Sequence, residues 1–253
     1  MSGLRLVPLG VGEAFSAKRY TTSLALETQG TWLLIDCSHP IRKMMHEAGT
    51  AAGIPLDIDQ FSAAVITHLH ADHSSGLEIY GYYSYFRLRR RARLVVHPEV
   101  AAGLWAGHLA SGMEHISLRD DEPIAVRQLD DYFELVYLDE ARAVDVGPFS
   151  IECRRTVHAV PTTALRIKAA GRVLGFSADT AFDPSLIDWL APADMILHEA
   201  TFGEHTGLHT PYSKLAALPE NIRKKMRITH YPDAFDLEAS IIEPIYQGRS
   251  YEV

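Results

Sequence analysis

Residues 67 to 73 read Thr67-His68-Leu69-His70-Ala71-Asp72-His73, which places four metal-type side chains within six positions. Imidazole and carboxylate groups are ligands that suit zinc, iron or manganese. Without a cation to organise them, groups crowded this closely repel or desolvate one another, so a surface turn that happens to be rich in histidine is the weaker reading. Three more donors lie far away in sequence: His158 after Ile151 to Val157, Asp179 after Val173 to Ser177, and His230 after Met226 to Thr229. One histidine at a strand end is more often structural than a ligand. Three residues placed alike, and like the main cluster, argue for one shared site. The seven donors exceed what a single tetrahedral zinc takes and suit two metals bridged by a carboxylate and a water.

These donors need strands to deliver them. The apolar run Ala63 to Thr67 reads as a buried strand that ends at the cluster. Leu4 to Leu9, Ser23 to Glu27 and Thr31 to Asp36 form an antiparallel opening around the turn Gln29-Gly30. Leu94 to His97, Phe133 to Leu138, Phe149 to Thr156, Thr163 to Lys168, Arg172 to Ser177, Met195 to Leu197 and Met226 to Thr229 continue the strand pattern, with Ala169-Ala170-Gly171 as a tight turn. Helical spacing falls on His39 to Ala48 with Gly49 as its stop, on Gly76 to Arg93, on Pro98 to about Leu109 and on Pro184 to Leu190. Pro211 is expected to open a helix capped by Thr210, Gly112 to Glu122 to be loop, and Leu237 to Tyr246 to be a mixed helical tail. Strands in both halves with helices interspersed predict two β-sheets packed face to face with helices outside.

The chain has 253 residues, 47% of them hydrophobic and 22% charged, which predicts one domain over residues 1–253 with a substantial core. A net charge of −8 disfavours nucleic acid as a general partner, although a local basic patch remains open. Cys37 and Cys153 lie in apolar strand-like runs, where buried reduced thiols are expected rather than a disulfide or metal ligands. No apolar stretch reaches bilayer length and the N-terminus lacks a secretory apolar region, so the expectation is a cytoplasmic protein with no membrane contact.

The His-x-His-x-Asp-His cluster, followed in order by His158, Asp179 and His230, resembles the metallo-β-lactamase superfamily over nearly the whole chain. That resemblance implies an αββα sandwich of two mixed β-sheets flanked by helices, with the site at one sheet edge. It implies His68, His70 and His158 on one metal, Asp72, His73 and His230 on the other, and Asp179 between them. The ions would be Zn2+, or else Mn2+ or Fe2+. Leu9 to Phe15, Leu33 to Cys37, Phe176 to Thr180 and Leu197 to Phe202 resemble the ribonuclease Z and phosphodiesterase branch. There, Gly207-Leu208-His209-Thr210 matches the position of a histidine that takes part in proton transfer. His209 therefore has two readings, a catalytic acid or an exposed neighbour of a helix cap. Relatives in this branch are commonly dimers, so a homodimer is expected.

Two departures from the branch matter. Only twenty residues separate His158 from Asp179, which leaves no room for a tRNA-clamping arm, and Ser38 stands where the branch usually has Gly, a change expected to leave the ligands untouched. The expected function is a dinuclear phosphodiesterase in which hydroxide attacks, Asp72 takes its proton and His209 protonates the leaving alkoxide. Its substrate would be a cyclic nucleotide, a small phosphodiester or an RNA end. Hydrolysis of a lactone, thioester or sulfate ester, an iron-dependent oxidation, or metal binding without catalysis are the competing readings. His198 is expected to orient a ligand, His205 is near only in sequence, Arg87 to Arg93 is either a phosphate contact or a solvated helix end, and Tyr80 to Phe86 reads as core or dimer surface.

Overall fold

The structure is a computed structural model that describes residues 3–117, 123–202 and 207–253. The first sheet contains β1 (Arg5–Gly10), β2 (Ser23–Thr28), β3 (Thr31–Ile35), β4 (Phe61–Ile66) and β5 (Ala92–Val96). A two-residue ribbon, β6 (His115–Ile116) and β7 (Ala125–Val126), precedes β8 (Phe133–Tyr137). The second sheet contains β9 (Val144–Val146), β10 (Phe149–Arg155), β11 (Thr163–Ala169), β12 (Arg172–Phe176), β13 (Met195–Glu199) and β14 (Met226–Thr229), and β15 (Tyr251–Glu252) returns to the first. The strand orders are β15-β1-β2-β3-β4-β5-β8 and β14-β13-β12-β11-β10-β9.

Side chains of the first sheet alternate between two apolar layers, as the period of two requires. Leu6, Leu24, Leu26, Leu33, Ile35 and Val65 face inward, in one cluster with Ile151, Leu165, Ile167 and Phe176 of the second sheet. Val7, Leu9, Ala25, Leu34, Ala64 and Ile66 face outward and are covered by Ile41, Met44 and Met45 of the helix Ile41–Ala52 and by Leu77 and Tyr80. On the far side of the second sheet the helix Pro184–Leu190 lies over Gly175, where an added Cβ would stand 3.0 Å from Leu190. The layers are thus helix, sheet, sheet, helix, as expected.

The parallel pairs matter most for position. β3, β4, β5 and β8 run parallel, as do β12, β13 and β14, so their carboxyl ends gather at common edges. In open α/β sheets, ligands bind beyond those ends. The two edges meet, because Thr163 donates its backbone N–H to the Thr67 carbonyl at the end of β4 (3.1 Å).

Several elements differ from expectation. The first helix runs through Gly49 and stops at Gly53, whose φ of 69° supplies the left-handed cap. Gly49 is needed there for space, because a Cβ would collide with the Ile54 carbonyl. The helix Ala110–Met113 runs into the expected loop at Gly112 and Met113, and His115–Ile116 within that loop pairs in the ribbon; residues 118–122 of the loop lie outside the described residues. The stretch from Leu237 to Tyr246 is not helix. Its Ile242 and Ile245 are buried, and Ile228 of β14 bonds to Glu243 and Ile245 along the backbone, so an extended segment covers that sheet edge. Thr210 does not cap the helix Tyr212–Ala216 and instead donates its hydroxyl to the Thr180 carbonyl (2.8 Å). Both cysteines are buried free thiols, as expected. Among the described residues no helix is long and apolar enough to cross a membrane.

Candidate metal centre

The site is built on a buried carboxylate outside the sequence-predicted set. Asp36 follows β3 with a left-handed φ of 58°, which aims its side chain across the end of β4. It accepts from the Thr67 backbone N–H (2.8 Å), from the Thr67 hydroxyl (2.9 Å) and from His73 Nδ1 (2.8 Å). Since the Thr67 hydroxyl proton goes to Asp36, its oxygen accepts from His68 Nδ1 (3.0 Å). Both rings thereby hold a proton on Nδ1 and turn Nε2 into the site as the nitrogen open to a metal. The atoms His68 Nε2, His73 Nε2 and Asp179 Oδ1 are buried with no hydrogen-bond partner among the described residues. Buried polar atoms are rarely left in that state unless something else occupies their lone pairs.

The remaining donors arrive from the second sheet. His158 leaves the β10 end and donates Nδ1–H to the Leu208 carbonyl (3.3 Å), so its Nε2 faces His70 Nδ1 at 3.1 Å. Asp179 follows β12, and His230 follows β14 with a φ of 49°. Asp179 lies 3.7 Å from His68 Nε2, 3.3 Å from His73 Nε2, 3.9 Å from His158 Nε2 and 3.5 Å from His230 Nε2. Asp72 lies 3.1 Å from His230 Nε2 and 3.3 Å from His73 Nε2. Two four-membered sets result, His68, His70, His158 and Asp179, and Asp72, His73, Asp179 and His230, each with its donor atoms within 4.8 Å of one another. All seven expected donors come together, and Asp179 belongs to both sets.

Electrostatics point the same way. Burial acts to raise the Asp72 and Asp179 carboxyls, but contacts from His230 and His73 outweigh it and hold both well below the usual carboxylate range. Burial opposes charge on His73, yet Asp179 and Asp36 drive it well above the ordinary imidazole value, while burial and the neighbouring His73 push His68 well below it. Without a cation, protons therefore balance the carboxylates, and loading a divalent ion would expel them. Three imidazoles with a shared carboxylate, beside a mixed carboxylate and imidazole set, fit divalent ions.

His209 sits against this centre. Its Nδ1 is 2.9 Å from Glu199 Oε2 and 4.0 Å from Asp179, and its ring stacks on His230 with centroids 5.7 Å apart. The hydrogen bond to Glu199 raises its pKa to about 9. His198 does not orient a ligand: its Nδ1 donates to the Glu199 carbonyl (2.8 Å), and burial lowers its pKa to about 4. The adjacent Glu199 takes the orienting position, accepting from His209 and from the Thr180 backbone N–H. Ser38 is less neutral than expected, because its hydroxyl donates to the Asp72 carbonyl and pairs with Ser23 (2.9 Å). His205 lies outside the described residues. Asp36 and Glu199 each follow or end a buried strand, a signal shared with Asp179 that would have found both.

Residues 4–243 match the sequence profile of the family described as Anti-Pycsar protein Apyc1. The chain belongs to the Apyc1 family. An Apyc1 protein of Bacillus phage 010DV004 is 32% identical over 263 residues, covering 98% of this chain and 98% of its own. One from Paenibacillus xerothermodurans is 27% identical over 237 residues, covering 92% and 90%. Among solved structures, the metallo-β-lactamase fold protein YhfI from Bacillus subtilis superposes with a TM-score of 0.74 at 16% identity, covering 99% of this chain and 100% of its own. The short form of human tRNase Z superposes with a TM-score of 0.70 at 19% identity, covering 98% of each. This Apyc1 family member therefore has the metallo-β-lactamase fold. Its arginine run is no part of the metal centre, since it precedes β5 at the opposite end of the strands.

Proposed function

We propose that this chain is a phosphodiesterase with two divalent ions, and that its substrate is a cyclic nucleotide. The observation that carries the reading is the convergence of seven donors from both sheets into two sets that share Asp179. Ions held there would supply Lewis acidity toward a phosphoryl oxygen and bring water within reach of ionisation near neutral pH. His68, His70 and His158 with Asp179 would hold one ion, and Asp72, His73 and His230 with Asp179 the other. Asp72 Oδ2, kept ionised by its imidazole neighbours, is the acceptor for the proton of the attacking water. His209, anchored through Nδ1 by Glu199, is the acid for the departing alkoxide, with Nε2 as its second proton-bearing nitrogen.

Two features support a small substrate over an RNA end. The stretch between His158 and Asp179 is a plain hairpin of β11 and β12 turning at Ala170 and Gly171, with no projecting arm. The net charge is −8. Phosphorus–oxygen cleavage is also the chemistry named for two solved proteins of similar fold, the human tRNase Z and a diphosphatase of the PhnP family. The test is hydrolysis of bis-p-nitrophenyl phosphate, then of purine and pyrimidine 3′,5′-cyclic mononucleotides, by protein stripped of metal and reloaded with zinc, manganese or iron. Metal-dependent release of the nucleoside monophosphate is expected. Folded, metal-loaded protein that cleaves none of these would refute the proposal and turn the search to lactones and thioesters.

A further inference from the structure

Between Arg87 and Arg93 five of seven residues are arginine and none is acidic, in a chain whose net charge is −8. The run follows the helical turn Tyr83–Arg87 and leads into β5. Arg89 holds a left-handed φ of 57°, a position at a helix end where glycine is usual. Arg90 reaches the Asp59 and Phe61 carbonyls (3.3 and 3.4 Å), Arg91 the Asp130 carbonyl (3.3 Å), and Arg93 pairs with Glu134 (3.2 Å). Among the described residues, Arg87 and Arg89 have neither an ion pair nor a hydrogen bond to a side chain.

Three clefts meet at Arg91. The one of about 340 Å³ is lined by Tyr85, Phe86, Arg89, Arg90 and Arg91, with Asp131 as its single acid. Asp131 faces Arg127 at 3.8 Å, and Arg127 in turn lies 5.9 Å from the Tyr85 ring, so the acid is offset locally. A second cleft at Arg91 is lined by Trp105 and Tyr137, with Asp130 and with Glu134, the acid that pairs with Arg93. β5 has five residues, so about 16 Å of strand at ~3.3 Å per residue separates this surface from the carboxyl ends that carry the metal centre. No arginine of the run reaches a phosphoryl group held there.

Exposed guanidinium groups between aromatic faces recognise a phosphate joined to a planar base. We infer that the clefts meeting at Arg91 form a second binding site for a nucleotide unit, separate from the metal centre. A free mononucleotide and one residue of a single strand present that same chemistry.

The test is a fluorescence-anisotropy titration of the full chain with a labelled nucleoside 5′-monophosphate and, separately, a labelled short oligothymidylate. At least one probe is expected to bind. The double variant Arg89→Glu with Arg91→Glu should weaken binding by about ten-fold or more, while a charge-matched control on other exposed cations, Arg142→Glu with Lys224→Glu, should leave the affinity unchanged. Binding of the mononucleotide identifies a free nucleotide as sufficient, and binding of the oligothymidylate alone identifies a strand. The inference is overturned if neither probe binds, if the double variant binds as the parent does, or if the charge-matched control weakens binding equally. Because the readout is affinity, it stands apart from whether the chain hydrolyses phosphodiesters.

Discussion

Replacing Asp36 by asparagine changes one atom behind His73 and, on the geometry, disarms that imidazole as a metal ligand. Asp36 accepts from Thr67 twice and from His73 Nδ1. Asparagine keeps one acceptor oxygen and replaces the other with an NH2 donor. If the oxygen stays on Thr67, the new N–H groups face His73 Nδ1–H, and the ring relieves the clash by moving its proton to Nε2. That nitrogen is one of the buried atoms that lacks a partner, so its lone pair is lost to the metal. If the amide turns over, the clash passes to Thr67 and on to His68. Backbone strain does not confuse the result, because asparagine tolerates the left-handed φ of 58° at least as well as aspartate. Loss of the partner behind a metal-ligating imidazole costs about 10–100-fold in affinity, or about 1.4–2.8 kcal/mol. One unmade buried hydrogen bond costs about 1–3 kcal/mol of stability, or roughly 2–12 °C in Tm for a chain of this size. The assay is zinc titration against a chromophoric chelator, with metal content by mass spectrometry and folding by circular dichroism. A folded Asp36→Asn protein that binds two zinc ions with parental affinity would refute both the tautomer argument and the assignment of His73.

Further outcomes are expected. Asp72→Ala should abolish turnover in a folded protein, and His209→Ala should slow substrates with poor leaving groups more than p-nitrophenyl esters; equal loss on both would remove His209 from an acid role. Gly76→Ala places a Cβ 2.5 Å from the Ser38 carbonyl and 2.9 Å from that of Cys37, so the turn after the histidine cluster must shift. A cost of about 1–3 kcal/mol with reduced metal content is expected, and parental Tm and metal content would show that the turn gives freely. Chelation should lower Tm, since ions at about 1,000 times their dissociation constant add about 4 kcal/mol; equal melting with and without chelator would contradict cation binding. The Arg42 guanidinium holds the Asp57 carboxyl below its ordinary value, so its stabilisation exists above the unfolded value of about 3.9 and fades as pH falls through the lower folded one. The Tm gap between parent and Asp57→Asn should therefore be open at neutral pH and close in acid, and a gap that widens in acid would reverse the sign.

What the sequence disclosed was governed by how local each signal is. The density of His68, His70, Asp72 and His73 makes a metal motif readable without neighbours, and strand-end placement carried the reading to His158, Asp179 and His230. Asp36 escaped because a lone acid after a strand looks like any polar turn until Thr67 and His73 are seen beside it. In the pair His198-Glu199 the wrong member was favoured: the histidine suggested ligand chemistry, but its ring bonds to the backbone carbonyl of its neighbour and leaves the carboxylate to face His209. The stretch from Leu237 to Tyr246 has apolar residues at helix-like intervals, yet the uncovered edge of β14 claims it. β15 pairs with β1 across nearly the whole chain, a contact that no local pattern encodes.

The gathering of donors from both sheets has a consequence for the life of the protein in a cell. Its two cysteines are unpaired, so no covalent bridge ties distant segments together. Bound ions would take that part, cross-linking the histidine cluster after β4 to His158, Asp179 and His230 in the other half of the chain, with a grip set by the supply of cation. Scarcity of metal would then lower abundance as well as turnover, because a chain lacking these links opens more often and a modest loss of stability exposes it to proteases. Copies made under metal limitation would be culled, and those that persist would be the loaded ones.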